Sequence, residues 1–312
     1  MPAPLAGRSI GIFMRILVLG SAAGGGYPQW NCRCPVCQLA WNGDFRVKAR
    51  TQSSLAVSLD GKRWLLLNAS PDLRSQILAQ SALQPRLGLR HSPIHAVYIT
   101  NGDVDHITGL ICLREQQAFT IYATPAILAL VAPGSVFGVV NPQVAARVPV
   151  SLGESVEALP GLNVASFAVP GKVPLFLESG VVETGAMGEN TIGLEIIGGG
   201  KSFFYIPGCA RLTPELLARV KGAPLLFFDG TLYTDDEMVA LGLGQKTGQR
   251  MGHMSMSGAD GSIVAFATAD IARKVFVHIN NSNPALIDGS PERLAVEEAG
   301  WEVAEDGMEI AL

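Results

Sequence analysis

Asp103, Asp105 and His106 close the run Thr100-Asn101-Gly102-Asp103-Val104-Asp105-His106, placing two carboxylates and an imidazole within four residues. Oxygen and imidazole donors of this kind suit a divalent transition metal. Ala96-Val97-Tyr98-Ile99 before them reads as a buried strand, and the apolar-periodic segment from Ile107 reads as a helix. The three side chains therefore fall on a strand-to-helix loop, where open α/β sheets gather their chemistry. A lone D-x-D-H is weak, because acidic residues also cap helix starts. Its weight comes from His278, which ends a second short apolar strand in Lys274–Asn283, and from His253 beside Gly252. Of the five histidines, these three close strand-end or glycine-rich segments, whereas His91 and His95 flank Pro93 ahead of a strand and read as surface residues.

Cys32, Cys34 and Cys37 form a second group, C-R-C-P-V-C. Three thiols in six residues cannot all pair locally, and an odd total of five fits a disulfide framework poorly. Their density suits a structural Zn²⁺ with four sulfur or nitrogen ligands, of which the local sequence supplies three. A redox C-x-x-C is the alternative. Cys112 reads as a buried apolar residue.

Hydrophobic residues make up 48% of the 312 positions and charged residues 16%, the balance of a globular protein with a large core. A net charge of −4 gives no support for nucleic-acid or membrane-surface binding. No apolar run reaches the roughly 20 residues needed to span a bilayer. Ile10–Leu19 resembles a short signal core, but Arg15 splits it, and Arg15–Gly20 makes a good first strand. Residues 1–13 are read as a leader or alternative start, 14–312 as one domain, and the cytoplasm as the compartment.

The elements that must position these residues alternate. A hairpin of Leu55–Leu59 and Arg63–Leu67 turns at Asp60-Gly61, and Ser70 is expected to cap a helix running to about Gln80. Strands follow at 96–99 and 120–123, with a helix over Pro125–Val131. Residues 148–205 are β-rich. The last third expects helices Pro214–Val220, Ser262–Ala269 and Pro291–Ala299, strands Leu225–Phe228 and Val275–His278, and one closing strand. The fold class is α/β, with two sheets facing each other, helices outside, and loops 100–106, 207–210, 229–235 and 278–283 along one edge. Gly20–Gly26 leads to Tyr-Pro-Gln-Trp-Asn rather than a helix, which removes the dinucleotide reading. Gly244-Gln245-Lys246-Thr247 lacks the phosphate-loop spacing.

The 100–106 run resembles the H-x-H-x-D-H motif of the metallo-β-lactamase superfamily. Asn101 and Asp103 stand at its first two His, Asp105 and His106 keep their identity, and His278 matches the last metal His. Residues 15–37, G-E-N-T-I-G-L-E-I at 188–196, D-G-T-L-Y-T-D-D-E-M at 229–238 and M-G-H-M-S-M at 251–256 resemble the branch of that superfamily serving pyrroloquinoline quinone (PQQ) biosynthesis, from Met14 to the C-terminus. The resemblance implies an αββα sandwich of two mixed sheets. Segment 169–172 offers no His and 205–209 no bridging Asp, so a two-metal hydrolytic centre is not expected.

Asp105, His106 and His278 remain, a two-His, one-carboxylate set that leaves Fe(II) positions open for O₂ and substrate. The resemblance implies an iron- and O₂-dependent hydroxylase acting on the tyrosine-derived ring of a crosslinked Glu–Tyr intermediate. Asp103 is then an extra ligand or acid–base group, and Asp229 and His253 bind substrate or support the ligands. Cys209 reads as a packed thiol, with metal ligation as the alternative. Trp30, Tyr27 and Tyr233 are candidate pocket walls. The resemblance also places Asn281 where phosphodiesterase-like members carry a fourth zinc ligand. Its carbonyl, another side chain or water completes that shell. A metal-dependent hydrolase and a PQQ carrier for export are the competing functions. Small molecules, other proteins of the pathway and a second copy of the chain are the partners considered.

Overall fold

The computed structural model describes residues 13–312, so all of the expected leader except Phe13 lies outside the described residues. Six strands open the fold: β1 (Arg15–Gly20), β2 (Ser54–Ser58), β3 (Trp64–Leu67), β4 (Ile94–Tyr98), β5 (Phe119–Ala123) and β6 (Ala145–Pro149). Seven more follow: β7 (Ser155–Leu159), β8 (Leu162–Ala168), β9 (Ile192–Gly198), β10 (Lys201–Ile206), β11 (Leu226–Asp229), β12 (Lys274–Val277) and β13 (Trp301–Val303). A last strand, β14 (Glu309–Ala311), returns to the first sheet, whose order is β14-β1-β2-β3-β4-β5-β6. The second sheet runs β13-β12-β11-β10-β9-β8-β7.

Both sheets are mixed, and their parallel parts matter most here. β3 to β6 run parallel, as do β10 to β13. Parallel strands deliver their C-terminal ends to one edge, which is where the loops after β4, β10, β11 and β12 carry the polar residues. Strands of this kind are buried on both faces and read as continuous apolar runs, as W-L-L-L in β3 does.

The core has three layers. Leu55, Leu65 and Tyr98 from the first sheet meet Leu194, Tyr205 and Phe227 from the second in the space between them. Trp64, Leu66 and Val97 cover the outer face of the first sheet with Leu73 and Ile127 from helices. Phe228, Phe276 and Trp301 do the same for the second sheet with Leu216 and Val296. The arrangement is the expected sandwich with helices outside.

Several local expectations need correction. Helix Leu73–Ala79 starts after Asp72, not after a Ser70 cap. Ser70 Oγ donates instead to Gln76 Oε1 at 3.1 Å. The helix expected after D-x-D-H is one α-turn, Val104–Ile107, followed by a 3₁₀ stretch, Thr108–Leu113. At Gly109 this stretch passes close to a neighbouring loop, where an added Cβ would lie 2.1 Å from Ser70 O. This close backbone approach lets Gly109 N donate to Ala69 O at 2.9 Å while Ala69 N donates to His106 O at 2.8 Å. The Ser262 helix ends at Ala265, and the single closing strand is two strands in different sheets. Helix Pro35–Trp41, which carries Cys37, had no counterpart in the sequence reading.

Candidate metal centre

Asp105 and His106 occupy the turn after β4, and His278 is the first residue beyond β12. The strands bring them together: one ligand-capable atom from each lies within 4.8 Å of the other two. His278 Nε2 is 3.0 Å from Asp105 Oδ2, and His106 Nε2 is 3.7 Å from the same oxygen. All three side chains are buried. Both ring nitrogens of His106 lack a hydrogen-bond partner. A buried polar atom left unpaired costs about 1–3 kcal/mol, and a cation held between the three side chains relieves that cost at the nitrogen it binds. The residues present therefore fit a divalent metal.

The protonation states agree with that fit. Burial pushes the His106 imidazole down to about 4, outweighing the attraction of Asp105, so the ring is neutral near pH 7 with a lone pair to offer. Burial works to raise Asp105, but His106 and the hydrogen-bonded His278 hold it below the usual carboxylate range. Burial likewise works to lower His278, and its hydrogen bond and charge interaction with Asp105 raise it instead.

His278 is held from behind. Its φ of 57° puts a non-glycine residue in the left-handed region, a conformation that needs support from its surroundings. Thr231 supplies it: Thr231 Oγ1 lies 2.9 Å from His278 Nδ1 and 3.0 Å from His278 O. The same hydroxyl is 2.7 Å from Asp229 Oδ1 and 3.1 Å from His253 Nδ1. With Nδ1 turned to Thr231, Nε2 faces Asp105 and the metal position, where a bound cation would take the place of its proton.

Asp229, His253 and His278 also draw within 4.8 Å of one another, but that group is a satisfied polar network. Asp229 is fully buried and accepts from Cys209 N at 2.9 Å and Thr231 N at 3.1 Å. Its Oδ2 also lies 2.7 Å from His253 Nδ1. The Thr231 hydroxyl stands among the three side chains. Asp229 thus holds His253 and Thr231 from within the core.

Other expected site residues are placed plainly. Asp103 is outside the metal group, and its Oδ1 accepts from Leu175 N at 3.0 Å. Asn101 Oδ1 accepts from Asp103 N at 3.0 Å, so the position matching the superfamily's first His shapes the loop. Cys209 is buried, its thiol is pushed up by burial, and its Sγ donates to Arg211 O at 3.1 Å. Tyr27 is no pocket wall: it is buried, and its hydroxyl donates to Val36 O at 2.9 Å. Trp30 is 83% exposed. Thr231 was missed by sequence reasoning, although Asp229-Gly230-Thr231 has the form of an Asx turn, with Thr231 N bonded to Asp229 Oδ1.

The second centre is the thiol group. Cys32, Cys34 and Cys37 are buried, with sulfurs within 4.8 Å of one another. Cys34 caps helix Pro35–Trp41, its Sγ accepting from Cys37 N at 3.4 Å, and Cys34 N donates to Cys32 Sγ at 3.4 Å. The hydrogen bond from Cys34 lowers the Cys37 thiol, whereas that bond and burial raise Cys34. Asn281 closes the remaining side, with Nδ2 at 3.2 Å from both Cys32 Sγ and Cys37 Sγ. Its carbonyl oxygen is 3.7 Å from Cys34 Sγ and Cys37 Sγ. A half-turn of the amide would present Oδ1 at the position of Nδ2. Three sulfurs and an oxygen donor fit a tetrahedral zinc. Between the two centres, Ile279 N donates to Ser21 O at 2.9 Å and Ile279 O accepts from Ala23 N at 2.8 Å.

Two facing sheets with a strand-end metal site define the beta-lactamase superfamily, whose domain matches residues 63–279. A coenzyme PQQ synthesis protein B from Methylorubrum extorquens strain PA1 is 59% identical over 96% of this chain and 100% of its own length. The crystal structure of Zn²⁺-bound PqqB from Methylobacterium extorquens superposes with a TM-score of 0.94 at 59% identity, covering 96% of this chain and all of that one. A diphosphatase of the PhnP family shares the fold at a TM-score of 0.68 and 20% identity, covering 96% and 97% of the two chains. The chain belongs to the coenzyme PQQ synthesis protein B family.

Proposed function

We propose that the protein acts in PQQ biosynthesis as a non-haem, Fe(II)- and O₂-dependent hydroxylase of the tyrosine-derived ring of a crosslinked Glu–Tyr intermediate. The names of its relatives support the pathway. The observation that carries the chemistry is the Asp105, His106 and His278 set, with both His106 ring nitrogens unpartnered. Two imidazoles and one carboxylate leave coordination positions for dioxygen and substrate. Iron held there would supply dioxygen binding and the oxidising power for ring hydroxylation.

The protein's own contribution is binding and orientation. Neutral His106 and ionised Asp105 offer donor atoms, and Thr231 fixes the His278 ring. Burial of all three keeps bulk water from the reacting face. His253, held by Asp229 and partly exposed, is the imidazole placed to meet substrate. Asp103 is assigned to shaping the rim, through Leu175. Cys32, Cys34, Cys37 and Asn281 hold a structural zinc. Five free thiols suit the reducing cytoplasm.

Hydrolysis is disfavoured because Asn101, Asp103 and segment 169–172 bring no imidazole to a second metal. The balanced reaction places one atom of O₂ in the ring and the other in water, with two electrons and two protons from an added reductant such as ascorbate. The test is anaerobic Fe(II) loading with the crosslinked substrate and ascorbate, followed by ¹⁸O₂. A product heavier by one ¹⁸O atom is expected. Mass gained from water without O₂ points to a hydrolase, and unchanged ligand to a carrier.

A further inference from the structure

Glu178 lies on the irregular segment between β8 and β9, and three cations converge on its carboxylate. Lys172 Nζ is at 3.0 Å, Lys246 Nζ at 2.8 Å and Arg250 Nη2 at 3.2 Å. The Glu178 and Lys172 side chains are only 9% and 10% exposed. One carboxylate neutralises one cation, so the group carries a surplus of two positive charges in a chain of net charge −4. Like charges gathered this closely repel one another, and stability alone does not call for the third. Arg250 also keeps a hydrogen-bonding arm free: Nη1 is buried and has no partner. A guanidinium normally uses both arms of its fork on planar anions.

The cluster adjoins the metal centre by sequence and by contact. Arg250 sits in the turn Gly248–Met251, and Gly252, in the left-handed region at φ 91°, links that turn to His253. The Lys172 Cγ lies 3.2 Å from where a Cβ on Gly252 would be, so the lysine stem packs against the same link. Three residues past Lys172, Leu175 N is bonded to Asp103. A cleft of about 380 Å³ opens on the Lys172 side of the cluster, lined in part by Lys172, Leu177, Asn190 and Thr191 and by one carboxylate, Glu183. Glu178 demonstrates on its own that these cations accept a carboxylate.

The geometry points to Lys172, Lys246 and Arg250 as the binding site for a carboxylate of the ligand, with Glu178 as the template that holds the three cations together. The substrate class is then a polycarboxylate, anchored here by one acid group with its ring directed toward His253. This rests on the PQQ-pathway reading and adds the part of the ligand that is recognised.

The probe is PQQ itself, titrated by its absorbance against the protein as purified, without O₂, with PQQ trimethyl ester as the uncharged control. Lys246→Gln and Arg250→Gln are each expected to raise Kd about tenfold, the loss of one charge-assisted contact, and the double variant more. Added salt weakens binding to the wild type, and the dependence flattens in the double variant. The ester binds wild type and double variant alike. Lys246 is 37% exposed, so Lys246→Gln keeps the fold and the test stands if Arg250→Gln does not. An unchanged Kd in Lys246→Gln, equal binding of acid and ester by the wild type, or no wild-type binding would each overturn the inference. None of these measurements involves oxygen transfer, so a failed hydroxylation assay leaves their outcome separate.

Discussion

His278 Nε2 and Asp105 Oδ2 lie 3.0 Å apart across 173 residues, one carried by the second sheet and the other by the first. A metal at this contact ties the two sheets together at their shared edge. Asp105→Ala or His278→Ala is therefore expected to abolish both metal binding at this centre and the proposed ring hydroxylation. Metal binding also stabilises the fold by mass action. A chelator should lower the melting temperature of the wild type further than that of either variant, and equal shifts in all three would remove these residues from the metal.

Thr231→Val keeps the shape of the side chain and removes the hydroxyl that touches His278, His253 and Asp229. Loss of an outer partner of a ligating histidine costs about 10–100-fold in metal affinity. Competition with a chromogenic chelator measures it. Thr231→Ser should recover most of the affinity, because the hydroxyl alone makes these contacts.

Glu178 is held down to about 2 from an ordinary 4.5: burial opposes ionisation, but hydrogen bonds from Lys246 and Arg250 and the ion pair with Lys172 outweigh it. A lowered folded-state value contributes stability that is present above pH 4.5 and is lost as pH falls toward 2. Solvent around Lys246 and Arg250 limits the contribution to about 1 kcal/mol. Denaturant melts of wild type and Glu178→Gln should differ at pH 7 and converge as pH drops through that window. A constant difference at every pH would mean the carboxylate's charge is not what matters.

Cys37→Ser is expected to release one zinc per chain and lower the melting temperature. Cys112→Ser should change neither, since Cys112 belongs to no metal-capable group among the described residues. Metal analysis beside calorimetry separates the two variants.

Gly109→Ala should weaken the active centre without touching a ligand. The added methyl would lie 2.1 Å from Ser70 O, pushing apart the loops that Ala69 and His106 join. Lower metal affinity with little change in circular dichroism is the expected result.

The strands and the metal candidates were legible because their signals are local. Apolar runs such as 96–99 and 275–277 announce buried strands, and the His or Asp that ends each one stands out. What was not legible depends on contacts distant in sequence. The apparent helix after His106 is a 3₁₀ stretch in which Gly109 passes against Ser70, and no periodicity records that meeting. Thr231 looks like one more turn residue until β11 and β12 align and set it against two imidazoles. Tyr27 reads as a loop aromatic, yet the helix that starts after Cys34 and carries Cys37 accepts its hydroxyl at Val36 O. The cations around Glu178 come from two segments more than 70 residues apart, and neither segment alone shows the carboxylate and its three partners together.

His278 and Asn281 stand on one short stretch of backbone, pinned midway where Ile279 bridges Ser21 and Ala23. The thiol group is thereby an abutment for the backbone that carries His278: damage to those sulfurs is expected to weaken metal binding at the other centre from a distance, with every one of its own donors intact.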